Sequence, residues 1–235
     1  MNAKQTFKIK VKLCLRFITD LWSLDYFKFS KKQNKWIDLR HSIPLDQPIK
    51  PSETFENKVF NLSLAAAEIN QYAIMPGEIF SFWNIIGNPE KKYKKGRNIT
   101  NGVLTEAIGG GLCQISGIIY LAGLVSGLEI LERHQHSVDI YTDETRFTPL
   151  GTDATVVYGY KDLRIKNNYA FPVKFELEVK DNTLNINLLS FEKIDKKTLV
   201  FEATTEGDII YATVMCGQTT VLNKSRYRKL ASYTF

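Results

Sequence analysis

The chemistry that this sequence could perform centres on Cys113, which follows three consecutive glycines in GGGLCQIS (109–116). The apolar residues after it recur at helical spacing up to Gly127, so the pattern predicts a buried helix that begins at the cysteine. A helix N-terminus favours negative charge, and the thiolate is the nucleophilic form of cysteine. Cys113 is therefore a candidate nucleophile, and the alternative is a small buried side chain beside a glycine turn.

A thiol nucleophile needs a base within hydrogen-bond reach and a third group that orients the base. His134 and His136 lie in ERHQHSVDI, and Asp153 begins a later predicted strand, DATVVYGY. Histidines two positions apart share a face of a strand, so at most one should meet the thiol; His136, which opens the more regular strand, is preferred. The predicted site comprises a triad of Cys113, His136 and Asp153, an oxyanion hole at Gly111 and Gln114, and His134 as support.

The same residue types leave two alternatives to a catalytic triad. Cysteine and histidine form tetrahedral zinc sites, although no second cysteine lies at C-x-x-C spacing here. A binding module without catalysis would use the aromatic segment PGEIFSFWN (76–84) and the lysine-rich segment 91–97. The zinc set would be Cys113, His134, His136 and Asp153, and the binding candidates are Glu78, Phe80, Phe82, Trp83 and Asn84.

The composition limits the class of protein. The chain has 235 residues, of which 44% are hydrophobic, and a net charge of +6, so it has enough apolar residues for a core. Three widely spaced cysteines argue against a disulfide framework and fit a reducing compartment. The modest charge, without an aromatic-interleaved basic motif, predicts no nucleic-acid partner. Charged residues, serines or glycines break the longest apolar runs, which predicts no transmembrane helix.

The N-terminal stretch places basic residues among its apolar ones, and it lacks a small-x-small cleavage signal. This pattern is not that of a secretory signal, so a cytoplasmic location is expected. A helix is predicted over residues 7–23. It is either a solvated surface helix or a basic amphipathic helix that associates with a membrane surface.

Changes of pattern divide the chain and predict an α+β fold. The proline-rich stretch 44–51 separates a basic, aromatic segment (1–50) from an α+β domain (51–195), and a C-terminal β extension (196–235) follows. A helix is predicted at 63–71, a strand at 79–84 and a loop in the lysine-rich segment. The Cys113 helix should pack on a mainly antiparallel sheet, with a hairpin turn at Asp181-Asn182. The predicted strands lie in LEILERH, HSVDIYT, DATVVYGY, DLRIKN, FPVKFELEVK and TLNINLLSF.

Four stretches together resemble the VanW family: PGEIFSFWNIIG, NGVLTEAIGGGLCQIS, ERHQHSVDIY and GTDATVVYGYKDLRIKNN. The resemblance runs from about residue 57 to residue 168. It implies a link to vancomycin resistance and to cell-wall metabolism, with a peptidoglycan peptide or its precursor as the partner, and it assigns no reaction.

The order of Cys113, His136 and Asp153 is also similar to that of transglutaminase-like cysteine enzymes. In those enzymes a cysteine begins a buried helix, a histidine opens one strand and an aspartate opens the next, in a papain-like arrangement. The similarity implies a thiol amidase, peptidase or acyltransferase that needs no cofactor, with a peptide or amide bond of a cell-wall peptide as the expected substrate.

Overall fold

The computed structural model of the protein describes residues 3–33, 37–100, 103–139 and 146–229. Within these residues the chain forms helices and strands in an α+β fold, as predicted. The helices are α1 (Ala3–Trp22), α2 (Phe55–Ile69), α3 (Phe82–Ile86) and α4 (Leu112–Ser126). The strands are β1 (His41–Pro48), β2 (Ile79–Ser81), β3 (Lys95–Thr100), β4 (Val103–Ile108), β5 (Glu129–Glu132), β6 (Val138–Asp139), β7 (Arg164–Lys166), β8 (Val173–Lys180), β9 (Thr183–Ser190), β10 (Leu199–Glu206), β11 (Ile209–Cys216) and β12 (Thr220–Lys229).

The described strands pair mostly antiparallel, as predicted. One sheet has the order β1-β9-β8, a second β2-β7-β5, and β3 pairs with β4 as a hairpin. A further sheet has the order β10-β11-β12-β6, in which β12 and β6 run parallel. The β8–β9 turn places Asp181 and Asn182 at φ of 50° and 56°, the left-handed conformation that a two-residue hairpin requires.

Helix α4 lies at the centre of the fold and carries Cys113 in its first turn. Eleven of its fifteen residues are buried, and it packs against α2, β1, β9 and β5. The helix ends at Gly127, whose φ of 71° is left-handed, as the sequence predicted for a glycine C-cap. A helix enclosed in this way holds the backbone of Cys113 in a fixed position.

Between residues 55 and 97, three predicted elements differ from the structure. Helix α2 begins at Phe55, eight residues before the predicted start at Ser63. The predicted strand at 79–84 ends at Ser81, because a buried carboxylate, Asp162, accepts the Trp83 N–H at 3.0 Å and so stabilises the first turn of α3. The lysine-rich segment is only partly a loop, since its end at 95–97 belongs to β3.

The predicted strand DATVVYGY is wrong, because residues 152–156 have no ladder partner. Individual backbone groups of the segment instead form single hydrogen bonds with neighbouring parts of the chain. The Thr155 N–H donates to the His134 carbonyl at 2.7 Å, and the Ala154 carbonyl accepts the Ser116 hydroxyl at 2.6 Å. The predicted strand HSVDIYT is short: β6 begins at Val138, and residues 140–142 lie outside the described residues.

Helix α1 begins at Ala3, four residues before the predicted start, and two ion pairs fasten it to the body. Arg16 binds Glu132 through two hydrogen bonds of 3.0 and 2.5 Å. Asp20 accepts two bonds from Arg164, at 2.5 and 2.8 Å. Among the described residues, no helix has the length and apolar content that crossing a membrane requires.

Candidate active site

The glycine stretch before Cys113 is required by close packing and by backbone conformation. A methyl group built on Gly110 would lie 2.5 Å from the Cα of Gly96, so only glycine lets these two backbones approach. Gly111 has a φ of 101°, which side chains rarely adopt, and it precedes the first residue of α4. The buried Asn61 side chain donates to the Gly110 carbonyl at 2.9 Å. These contacts fix the backbone that leads into Cys113.

The thiol of Cys113 faces the irregular segment that carries Asp153. Its Sγ lies 3.7 Å from the Thr155 hydroxyl and 3.9 Å from the Val156 carbonyl, and the residue is half-buried. Ser116, one turn later in α4, joins the helix to this segment through Ala154. The thiol is therefore held against the segment 153–156 and keeps some exposure.

His136 and Asp153 form a close pair beside this thiol. The Nδ1 of His136 lies 2.6 Å from Oδ2 of Asp153, and the His136 backbone N–H donates to the same oxygen at 2.7 Å. The histidine ring also lies near enough to the Cys113 thiol to lower the pKa of that thiol. The structure thus brings together the three residues of the predicted triad, although His136 and Asp153 lie in irregular segments and not at the start of strands.

The other carboxylate oxygen of Asp153 is held by two residues that the sequence reasoning did not identify. Arg133 Nη2 donates to Oδ1 at 2.8 Å, and the Tyr227 hydroxyl donates to the same atom. Arg133 lies inside the ERHQH motif, so attention to the arginine as well as the histidines would have found it. Tyr227 lies on β12, 74 positions from Asp153, and no local sequence signal points to it.

The neighbours of each ionisable group in the site shift its pKa towards the charged form. Burial on its own would raise the pKa of Cys113, but the hydrogen bond to His136 and the charge of that ring lower it below its ordinary value. Burial opposes protonation of His136, yet the bonds to Asp153 and Cys113 raise its pKa to about 10. Burial disfavours ionised Asp153, yet His136 and Arg133 lower its pKa to about 2. Each charge is stabilised by its neighbour.

Two predicted supporting residues have other partners. The Nε2 of His134 lies 2.9 Å from the Glu132 carboxylate, and Glu132 also binds Arg16 of α1. The full zinc set of Cys113, His134, His136 and Asp153 is therefore not assembled, and within the described residues no group of three such side chains is arranged to hold a metal ion. The Gln114 amide donates to the Pro48 carbonyl at 3.0 Å, so its side chain does not face the thiol.

The predicted aromatic binding surface is mostly core. Phe80 and Phe82 are 1% and 0% exposed, because α3 turns Phe82 inward where a strand was expected. The Glu78 carboxylate accepts the Met75 N–H at 3.0 Å and stabilises a turn. Trp83 donates its indole N–H to the Lys161 carbonyl at 2.8 Å and packs edge-on against Tyr158. Asn84 is exposed at the start of α3.

A basic cleft of about 700 Å³ lies beside the triad, between the ERHQHS segment and β12. Arg133 and Tyr227, which hold Asp153, form part of its wall. The remaining lining residues include the polar and basic side chains His134, Gln135, Ser137, Lys161, Arg226 and Arg228. No sequence pattern indicated this cleft, since its walls come from distant parts of the chain.

Comparison with known proteins places the site within a described family. The family described as VanW like protein matches residues 57–189, which contain Cys113, His136 and Asp153. The vancomycin B-type resistance protein VanW of Enterococcus faecalis (strain ATCC 700802 / V583) is 41% identical over 115 residues, which are 48% of this chain and 42% of that protein.

A second relative is the uncharacterized protein YoaR of Bacillus subtilis (strain 168). It is 33% identical over 144 residues, which are 60% of this chain and 46% of YoaR. The matched stretches thus cover less than half the length of each relative. No solved structure matches the chain.

Proposed function

The chain belongs to the VanW family, and on that premise we propose that it is a thiol enzyme that cleaves or transfers an amide bond of a cell-wall peptide or its precursor. One observation carries the proposal. At the start of a buried helix, Cys113 meets His136, and His136 lies 2.6 Å from the Asp153 carboxylate. A nucleophile, a base and a group that orients the base are the parts that thiol catalysis needs.

In the first step the Cys113 thiolate attacks the amide carbonyl carbon. A C–S bond forms, and the electron pair of the C=O bond moves onto oxygen. When the tetrahedral intermediate collapses, the C–N bond breaks and the imidazolium of His136 gives its proton to the leaving amine. The products are a free amine, a thioester on Cys113 and a neutral imidazole.

In the second step neutral His136 takes a proton from the attacking group. Water yields a carboxylic acid, and an amine yields a new amide; in both cases the C–S bond breaks and the thiolate–imidazolium pair returns. Asp153 holds the His136 ring in one orientation and remains ionised throughout. The same residues therefore serve an amidase, a peptidase and an acyltransferase, and the acyl acceptor distinguishes them.

The backbone N–H of Cys113 is the best donor for the developing oxyanion. The N–H groups of Leu112 and Gln114 donate to the carbonyls of Gly109 and Gly111. Among the residues that the structure describes, no carbonyl accepts the Cys113 N–H. A donor at a helix N-terminus, already fixed in position, stabilises an oxyanion without reorganisation. The Cys113 N–H lies between Gly111 and Gln114, where the oxyanion hole was expected, and the Gln114 side chain, which is bonded to Pro48, takes no part in it.

Positive charge near the start of α4 supports an anionic substrate. Lys58 is half-buried, and a methyl group on Gly111 would lie 3.0 Å from its Cγ. Burial, followed by the charges of Arg97 and Lys50, lowers the pKa of Lys58 to about 8. A substrate carboxylate or phosphate would relieve this repulsion. Cell-wall peptides and nucleotide-linked precursors carry such groups.

The test is incubation with purified muropeptides and with nucleotide-linked precursors, followed by mass spectrometry of the products. The wild-type chain is compared with Cys113→Ala, and Cys216→Ala is the matched control, since Cys216 is also half-buried and free. We expect new amines or new amides with the wild type and the control only. Identical product profiles for wild type and Cys113→Ala would refute the proposed enzyme.

The basic cleft supports a second candidate function, a non-catalytic module that binds an anionic cell-wall peptide. Arg226 and Arg228 line the cleft and do not belong to the triad. Calorimetric titration with the same peptides distinguishes the two functions. A pure binding module would lose affinity in Arg226→Gln and keep it in Cys113→Ala, with no product formed by any variant.

A further inference from the structure

Helix α1 exposes a continuous apolar face along its length. Residues 7, 11, 14, 15, 18, 21 and 22 recur at helical spacing and so form one stripe. Phe7 is 68% exposed and Trp22 is 87% exposed. The stripe, here called the α1 outer face, consists of Phe7, Val11, Cys14, Leu15, Ile18, Leu21 and Trp22, all of them exposed.

The α1 outer face is not the side that packs on the body. The opposite side of the helix carries Arg16 and Asp20, which form the ion pairs with Glu132 and Arg164. Ile9, on that same side, approaches Gly159, where an added methyl group would lie 3.1 Å from its Cγ2. The helix is therefore already docked, and its apolar outer face is left without a partner in the described part of the chain.

The charge around this face is positive. Lys4, Lys8, Lys10 and Lys12 lie in the first half of α1 and are exposed, and none of them forms an ion pair within residues 3–33, 37–100, 103–139 and 146–229. The acidic residue of the helix, Asp20, is buried and bonded to Arg164. The outer half of α1 thus combines lysines with apolar side chains and presents no carboxylate.

Aromatic side chains cluster at the far end of the same helix. Tyr26 packs edge-on against Phe17 and Phe27, with ring centroids 5.2 and 5.5 Å apart. Tyr26 is 46% exposed, Phe17 47% and Phe27 65%. Trp22 lies four residues before Tyr26. Exposed tryptophan and tyrosine rings, here Trp22 and Tyr26, are typical of segments that lie at the boundary between lipid and water.

We propose that the α1 outer face binds the surface of an anionic phospholipid bilayer, with the helix axis in the membrane plane. Apolar side chains would enter the boundary between headgroups and acyl chains, and the lysines would meet the anionic headgroups. A second copy of the chain fits less well as the occupant, because its outer face offers the lysines no free carboxylate. This proposal does not depend on catalysis by Cys113.

The experiment is co-sedimentation of the full chain with vesicles. One set is phosphatidylcholine alone, and the other contains about a third phosphatidylglycerol, so that only the surface charge differs. We expect binding to the anionic vesicles that weakens with salt, and a blue shift of tryptophan emission that Trp22→Phe removes. Wild-type chain that stays in the supernatant with anionic vesicles would overturn the proposal.

Two matched variants distinguish binding through the α1 outer face from nonspecific adsorption to the vesicles. Ile18→Glu places a charge at the centre of the face, and Val221→Glu makes the same kind of change at an exposed residue of β12. Binding should fall by at least about tenfold in Ile18→Glu and remain in Val221→Glu. Equal losses in the two variants, or a concentration-dependent dimer that buries Trp22 without lipid binding, would refute a membrane-binding role for α1.

Discussion

Replacing Asp153 by asparagine tests the proposed role of Asp153 in the triad most directly. The substitution keeps the shape of the side chain and removes the charge that accepts the His136 Nδ1–H at 2.6 Å. A hydrogen bond to a charged group contributes about 1.5–3 kcal/mol. The His136 side chain is 40% exposed, and solvent screening weakens the interaction of exposed charges. We therefore use the lower end of that range, about 1.5 kcal/mol. This corresponds to a fall of about one unit in the pKa of His136.

The same free energy changes the charge state of the thiol. Losing it shifts the equilibrium from the thiolate–imidazolium pair towards the neutral thiol–imidazole pair by about tenfold. Alkylation of Cys113 should therefore slow by up to that factor near neutral pH. Alkylation by iodoacetamide, followed by mass spectrometry in a Cys14→Ser, Cys216→Ser background, measures the rate. NMR titration of the His136 ring gives its pKa independently.

The matched control is Asp20→Asn, which removes the charge of a buried aspartate that is paired with Arg164 and does not belong to the triad. It should weaken the docking of α1 and leave the alkylation of Cys113 unchanged. The reasoning is refuted if Asp153→Asn leaves the pKa of His136 where it was, or if Asp20→Asn slows alkylation as much as Asp153→Asn does.

Three further predictions concern the surroundings of the triad. Tyr227→Phe removes a donor to Asp153 and should cost about 1–2 kcal/mol of unfolding free energy in urea; an unchanged midpoint would contradict this role. Gly110→Ala should destabilise by about 1–3 kcal/mol through overlap with Gly96, whereas Gly117→Ala, whose added methyl has no neighbour closer than 3.8 Å, should not. Because the pKa of Asp153 is lowered from 3.8 to about 2, its stabilising effect is present above pH 4 and should be lost as the pH falls towards 2. Urea unfolding against pH would show a smaller loss in Asp153→Asn.

The sequence was informative where local chemistry and structure coincide. The period of the apolar residues and the glycines at both ends predicted α4 to within one residue at its start, and the Asp181-Asn182 turn predicted the β8–β9 hairpin. The residue types and their order also led to His136 as the partner of Cys113, although the strand that was expected to begin at His136 begins at Val138. These features depend on neighbours along the chain, so a single sequence is enough to indicate them.

The segment 153–160 shows why other predictions failed. Its alternating apolar residues suggested a strand, and Ala154 and Val156 are indeed buried. Their partner, however, is the side of α4, where Ser116 takes the place of a ladder neighbour. Periodicity reports which side chains are buried and does not report what covers them. Phe82 was predicted on a strand and lies in α3 for a related reason. The Asp162 carboxylate that stabilises the first turn of α3 is 79 positions along the chain from Trp83.

The contacts of Asp153 explain how the charged forms of Cys113, His136 and Asp153 are stabilised although burial opposes each of them. Arg133, Asp153, His136 and Cys113 form a row; Arg133 and His136 are both hydrogen-bonded to Asp153, and the charge of His136 lowers the pKa of Cys113. Without Arg133, His136 alone would balance the charge of Asp153. The imidazolium would then lower the pKa of Cys113 less. Arg133 is itself only 7% exposed on its side chain and lies over the Tyr120 ring of α4 at 5.1 Å. The helix that presents Cys113 therefore also supports the far end of the row, and β12, outside the family match of 57–189, completes it through Tyr227.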